Sequence, residues 1–239
     1  MEPEPLPDDW TAALAVAAHP DDLEYGVSAA VAAWTAAGKR VTYLLVTRGE
    51  AGIATMPPAE AGPAREAEER ASAAEVGVED VRFLDHRDGV VEEGVALRRE
   101  IARVVRQVRP DLVVTLNHAE GWPGPDGRSV GWNSADHRAV GRAAIDAVGD
   151  AGNRWVHPEL DGERLEPHAV RHVVVGHSPA ARHAVDVTGF VDAAVASLAH
   201  HRLYLAALDE RPVAEQARDV VARVVGDPDH PRVTFELLF

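Results

Sequence analysis

Short apolar runs at residues 12–18, 41–46, 81–84, 111–116 and 170–175 alternate with longer segments of helical character, and this alternation restricts the fold more than any other feature. Strands that read as continuously apolar are buried on both faces, and a parallel neighbour is reached only through a crossover, usually a helix. Helical character falls at about residues 24–37, 63–76, 94–108 and 134–148, and over most of 187–208. Gly38 supplies a stop for the first of these, and Pro63 suits the first turn of the second. The expectation is an α/β fold, with a parallel sheet covered on both faces by right-handed crossovers. Residues 232–239 read as a terminal edge strand.

A chain of 239 residues that is 46% hydrophobic can bury one substantial core, so residues 1–239 are expected to form a single domain. Residues 1–10, acidic and proline-rich, read as a flexible N-terminal extension. The formal charge of −15 repels phosphate backbones and anionic lipid, which argues against nucleic acid and membrane partners. No basic-then-apolar leader and no long apolar span is evident, and the protein is expected to be cytoplasmic. Association into a homo-oligomer is compatible with an acidic domain of this size. With no cysteine, any metal must be held by nitrogen and oxygen, which turns attention to the 12 histidines.

The first apolar run passes directly into Ala18-His19-Pro20-Asp21-Asp22-Leu23-Glu24. An imidazole and two carboxylates therefore stand where a strand ends, with His19 and Asp22 aimed at one point and Asp21 in a neighbouring direction. Far along the chain, Asp136-His137 opens another helix and can bring a second imidazole to the same edge. Two histidines and one carboxylate make a catalytic metal set with open positions. A metal lowers the pKa of the water it holds, and a carboxylate beside it accepts the proton as that water attacks a carbonyl carbon. Hydrolysis of an amide or ester is the implied chemistry.

These residues, with Thr47-Arg48-Gly49-Glu50, the Arg65-Glu66 helix start, the turn from Leu84 to Gly89 and Asp136-His137-Arg138-Ala139, resemble the PIG-L/LmbE-like family of zinc-dependent N-acetylglucosamine deacetylases over roughly residues 12–144. The resemblance implies a Rossmann-like three-layer sandwich with a mostly parallel central sheet. It implies N-deacetylation of a small-molecule amino sugar or amino-sugar conjugate, with an acetyl group as the expected leaving acyl. Zinc, or another divalent metal such as iron, is assigned to His19, Asp22 and His137. Asp21 becomes the general base, Asp136 a further catalytic candidate, and Arg65, Asp88 and Glu50 candidates for substrate contact. The family commonly carries His-Pro-Asp-His where this chain has Ser134-Ala135-Asp136-His137. The polarising role of the first of those histidines passes to Asp21 alone, or to His118 or His177, and reduced activity on standard substrates is expected.

Other readings compete. His-Pro-Asp at a strand end can be merely a capping turn for the next helix. Gly176-His177-Ser178-Pro179-Ala180 resembles the nucleophile elbow of a serine hydrolase, with Asp186 or Asp192 and His200 as nominal partners for Ser178, but Ala180 replaces its final glycine. A metal-binding or sugar-binding relative without turnover is a third reading, motivated by Ser134. In the loop 117–133, Trp122 and Trp132 either stack on a sugar or pack the loop down. His157, His168, His172, His183, His201 and His230 read as solvated side chains.

Overall fold

The computed structural model describes residues 2–124 and 129–239. Met1 and residues 125–128, the latter within the expected rim loop 117–133, lie outside the described residues. The first part of the chain runs β1 (Glu4–Pro5), β2 (Ala12–Ala17), α1 (Ser28–Ala36), β3 (Arg40–Leu45), α2 (Pro58–Glu75), β4 (Asp80–Phe83), α3 (Val95–Val108) and β5 (Leu112–Leu116). A hairpin of β6 (Gly121–Pro123) and β7 (Ser129–Trp132) leads into α4 (Ala135–Gly152) and the short α5 (Glu159–Gly162). The remainder is β8 (His172–Gly176), β9 (His183–Asp186), α6 (Val191–Leu198), α7 (Arg202–Leu208), α8 (Val213–Val225) and β10 (Arg232–Leu237).

The main sheet has the order β1-β9-β10-β8-β5-β2-β3-β4. Strands β8, β5, β2, β3 and β4 are mutually parallel, and β10 runs antiparallel to both its neighbours. All six residues of β2 are buried, which is why its sequence shows no polar alternation. Its side chains feed two cores: Ala13, Ala15 and Ala17 face α1, α6 and α8, while Leu14 and Val16 face α3 and α4. The result is the expected three-layer α/β sandwich.

Several boundaries differ from expectation for physical reasons. The second helix, expected from residue 63, already starts at Pro58, a proline suited to a first helical position, so Pro63 lies inside it. Residues 232–239 do not form an edge: β10 is inserted between β8 and β9, with Phe235 fully buried. Residues 1–10 do not stand off the domain, because Glu4 and Pro5 pair with β9 and Trp10 packs edge-on against Trp34 at 5.2 Å. The helix expected from residue 24 begins at Ser28, since residues 20–27 form turns held by backbone bonds such as Tyr25 N–H to the Asp21 carbonyl. No helix among the described residues is long and apolar enough to cross a membrane.

From β2 the chain proceeds through β3 and β4 to one side, whereas β5 and β8 lie on the other. The order therefore reverses between β2 and β5. A crevice forms beyond the carboxyl ends of strands at such a switch point, and this is where open α/β sheets bind ligands.

Candidate active site

His19 follows β2 and His137 sits in the first turn of α4 beyond β5, so the two imidazoles meet across that crevice with ring centres 5.2 Å apart. Asp22 joins them. One carboxylate oxygen accepts from the backbone N–H groups of Ala18 (3.1 Å) and His19 (2.8 Å), fixing the turn, and the other lies 3.0 Å from His137 Nε2. Asp22 therefore does not cap the next helix, which has no side-chain cap: one of its oxygens closes the preceding turn and the other faces the histidines. His19 Nδ1, His137 Nε2 and Asp22 supply donor atoms within 4.8 Å of one another, a set that fits a divalent metal.

The far sides of both rings are tied down. His19 Nε2 lies 3.0 Å from Asp88 and 3.2 Å from Asp136, and His137 Nδ1 lies 2.9 Å from Asn133 Oδ1. Such outer bonds choose the tautomer that leaves the inner nitrogen free to ligate. Burial alone would lower the pKa of both imidazoles, but Asp22 outweighs it and raises both, His19 well above its ordinary value with help from Asp136 and Asp88. Burial likewise works to raise Asp22, yet His137 and His19 hold its carboxyl well below the usual range. A cation entering between these groups displaces the protons that now balance the charge.

Asp21 stands beside the donor set in a left-handed backbone conformation, φ +87°, that a non-glycine residue adopts only when its surroundings enforce it. Arg65 does the enforcing. Its guanidinium is buried and donates to Asp21 Oδ1 and the Pro20 carbonyl, both at 2.6 Å, and to the Gly49 carbonyl at 2.8 Å. The Asp21 N–H donates to Glu69 at 3.1 Å. Burial pushes the Asp21 carboxyl up to about 7 against the pull of Arg65, a value suited to exchanging protons near neutrality. Gly49 is required where it stands, since a Cβ there would fall 2.1 Å from Arg65 Nη1 at a φ of +61°.

Several expected roles change in this setting. Arg65 turns Nη1 and Nη2 to the base and the backbone, which makes it a support for Asp21, while its Nε has no hydrogen-bond partner among the described residues. Asp136 is buried and accepts from Gly89 N–H (2.7 Å) and Val91 N–H (3.1 Å) as well as facing His19 at 3.2 Å. Asp88 faces His19 and accepts from Ala51 N–H at 2.8 Å, and Glu50 receives the Asp88 N–H at 2.9 Å, so Glu50 closes the loop instead of reaching substrate. Ser134 caps α4 by accepting the His137 N–H at 3.0 Å. His118 packs against Gly141, outside the cavities at the donor set, whereas His177 lines the larger one. His177 Nε2 lies 2.8 Å from the Tyr25 carbonyl, and burial lowers its pKa, which favours a neutral ring.

No serine triad forms: Ser178 donates to Glu236, His200 lies 3.4 Å from Glu75, and Asp186 accepts from Thr188 N–H. Trp122 turns edge-on to His137 and His177 at 5.8 and 6.3 Å, while Trp132 is largely exposed beneath the Arg138 guanidinium. Two histidines expected to be solvated are buried. His157 lies 3.1 Å from Asp150, and His201 lies 3.6 Å from both Glu24 and Glu69.

The structure adds two groups to those read from the sequence. Asn133 orients His137, and Tyr204 on α7 lays its ring 4.1 Å from the Arg65 guanidinium at the mouth of the site. Asn133 precedes a capping serine and was open to detection on that ground; Tyr204 depends on how α7 packs. A cavity of about 440 Å³ opens from Asp21, Asp22 and His137 towards α8, and one of about 260 Å³ opens on the His19 and Asp88 side.

Among curated relatives, a 1D-myo-inositol 2-acetamido-2-deoxy-alpha-D-glucopyranoside deacetylase of Kineococcus radiotolerans is 36% identical over 170 residues, 57% of this chain and 45% of the relative. Diacetylchitobiose deacetylase of Thermococcus kodakarensis is 27% identical over 79% of this chain and 68% of its own length. The chain thus spans between about half and two thirds of these relatives. A solved N,N'-diacetylchitobiose deacetylase from Pyrococcus horikoshii superposes with a TM-score of 0.82 at 20% identity, covering 96% of this chain and 84% of that one, which supports the fold. The profile described as PIG-L, GlcNAc-PI de-N-acetylase, matches residues 14–148, the stretch that carries His19, Asp21, Asp22, Arg65 and His137 and more than half of the chain, and the protein therefore belongs to the PIG-L family.

Proposed function

We propose that this protein is a metal-dependent N-deacetylase that removes an acyl group, acetyl in the first instance, from a small amino sugar or amino-sugar conjugate. The observation that carries the reading is the convergence of His19, Asp22 and His137 on one point, with Asp21 locked beside them by Arg65. A divalent metal held there, zinc or alternatively iron, would polarise the amide carbonyl and acidify water.

Within that arrangement Asp21 takes a proton from the attacking water as the new C–O bond forms. It then returns that proton to the departing nitrogen as the C–N bond breaks, leaving an amine and a carboxylic acid. Arg65 keeps the Asp21 carboxylate oriented. Asp136, Asp88 and Asn133 keep the imidazole nitrogens aimed inward. Acetate release should be measured with zinc-loaded protein on N-acetylglucosamine, N,N'-diacetylchitobiose and an N-acetylglucosaminyl inositol. Release that stops on chelation and returns with zinc is expected; metal-replete protein that frees no acetate from any of them would overturn the reading.

A further inference from the structure

Resting on the deacetylase reading, we propose that the cavity walled by α7 and α8 is a subsite for an apolar substituent that carries a negative charge, borne by the amino sugar at the end away from the acyl group, and that Arg223 receives that charge.

The cavity is about 440 Å³, within the usual range for a small-molecule site. Its floor is the proton-handling end, Asp21, Asp22 and His137. Its walls are carbon: Leu116 from β5, Trp122 from β6, and Val220 and Val224 from α8. The neutral polar groups that reach it are two phenols, Tyr25 and Tyr204, and the His177 imidazole, whose Nε2 is taken up by the Tyr25 carbonyl at 2.8 Å. A second polyhydroxylated ring would leave most of its hydroxyls facing carbon, and an unpaired polar group in such a place is unfavourable. An aryl or alkyl group gains from the same walls.

Charge sets the orientation. Val220, Arg223 and Val224 are spaced i, i+3 and i+4 and so share one face of α8, which places a guanidinium beside the apolar wall at the exposed rim. Arg223 makes no ion pair among the described residues. Among the described residues it is the one lysine or arginine lining the cavity, in a chain of net charge −15. With a divalent cation bound, the charges of Asp21 and Asp22 at the floor are offset, whereas the Arg223 charge at the rim is unopposed, so an anionic substituent is drawn to the rim and the acyl end is left to the floor. A neutral substituent has no such preference. The elements that build the subsite, α7 and α8, lie outside the stretch 14–148 that the family profile matches.

The test uses three probes in both anomeric forms: the 4-carboxyphenyl, phenyl and methyl glycosides of N-acetylglucosamine. Zinc-loaded wild type and the Arg223→Met and Arg223→Lys variants are compared by calorimetric binding and by acetate release. A charge-assisted contact at an exposed rim should make wild type prefer carboxyphenyl over phenyl by about 5- to 20-fold in Kd, with the preference shrinking in high salt. Arg223→Met should erase that preference, read as the ratio of the carboxyphenyl to the phenyl Kd within each protein, and Arg223→Lys should restore part of it. Equal binding of carboxyphenyl and phenyl by wild type, or a preference that survives in Arg223→Met, overturns the proposal. A charge preference that depends on Arg223 in protein that frees no acetate from any probe upholds the subsite and rejects the deacetylase reading.

Discussion

The two sides of the crevice are built by different rules. On the side formed by residues 18–137, each chemically active group is held by at least one further polar partner: His19 by Asp88 and Asp136, His137 by Asn133, Asp21 by Arg65. On the side formed by α7 and α8, the residues that face the cavity make packing contacts and few polar ones; Tyr204 rests on Arg65 through its ring face. The first side can be altered only at the cost of a network, the second one side chain at a time. Constraint of this kind suits chemistry, and its relaxation suits choice of substrate.

Perturbing the constrained side should give the largest effects. His137→Ala or Asp22→Ala should reduce bound zinc from about one per chain to background and abolish acetate release, as measured by elemental analysis and assay. Asp21→Asn should keep the metal while kcat falls by about 10²- to 10⁴-fold, the range for loss of a positioned proton carrier. Retained turnover in that variant would show that the base lies elsewhere. Arg65→Met leaves Asp21 buried without its counter-charge, and breaking such a pair costs about 3–5 kcal/mol, to be read as a shift in denaturant midpoint. Asp136→Asn should weaken metal affinity by about 10- to 100-fold with little effect on kcat at saturating metal. An unchanged affinity would contradict the supporting position assigned to Asp136.

The smallest effect separates the support beneath the site from the site itself. Burial would lower the His201 pKa, but Glu24 and Glu69 raise it to about 9, above the unfolded value near 6.5. The charge on His201 therefore contributes stability that is fully present below about pH 6.5 and is lost as pH rises through about 9. Glu69, raised well above its ordinary value first by burial and then by Glu24, adds a loss of the same sign as pH climbs past about 4.5. Thermal melts between about pH 6 and pH 9.5 should show Tm falling, and His201→Gln should flatten the upper part of that slope. A wild-type Tm that rises over the same interval would contradict this arrangement.

The cluster of His19, Asp22 and His137 was legible because its signals are local: a strand end, a proline turn, an acid-histidine pair opening a helix. The central parallel strands were legible for the same reason, as continuous apolar runs. Arg65 was visible as a functional residue but not in its function, because which carboxylate an arginine meets depends on packing between α2 and the β2 turn. The place of β10 inside the sheet was hidden too, since strand order is a long-range property of the chain. Helix α8 carries a readable spacing in Ala217, Val220, Val221 and Val225, but nothing in that spacing says which wall it will form.

Ser134 shows how closely structure and chemistry are joined in such a site. Its hydroxyl receives the N–H of His137 in the opening turn of α4, and losing a serine cap costs about 0.5–2 kcal/mol. A histidine introduced at this position would gain a proton-bearing ring near the substrate and forfeit the cap beneath a metal-facing residue. The exchange alters one residue in the sequence and two functions in physical terms, the cap of α4 and the proton-handling groups beside it.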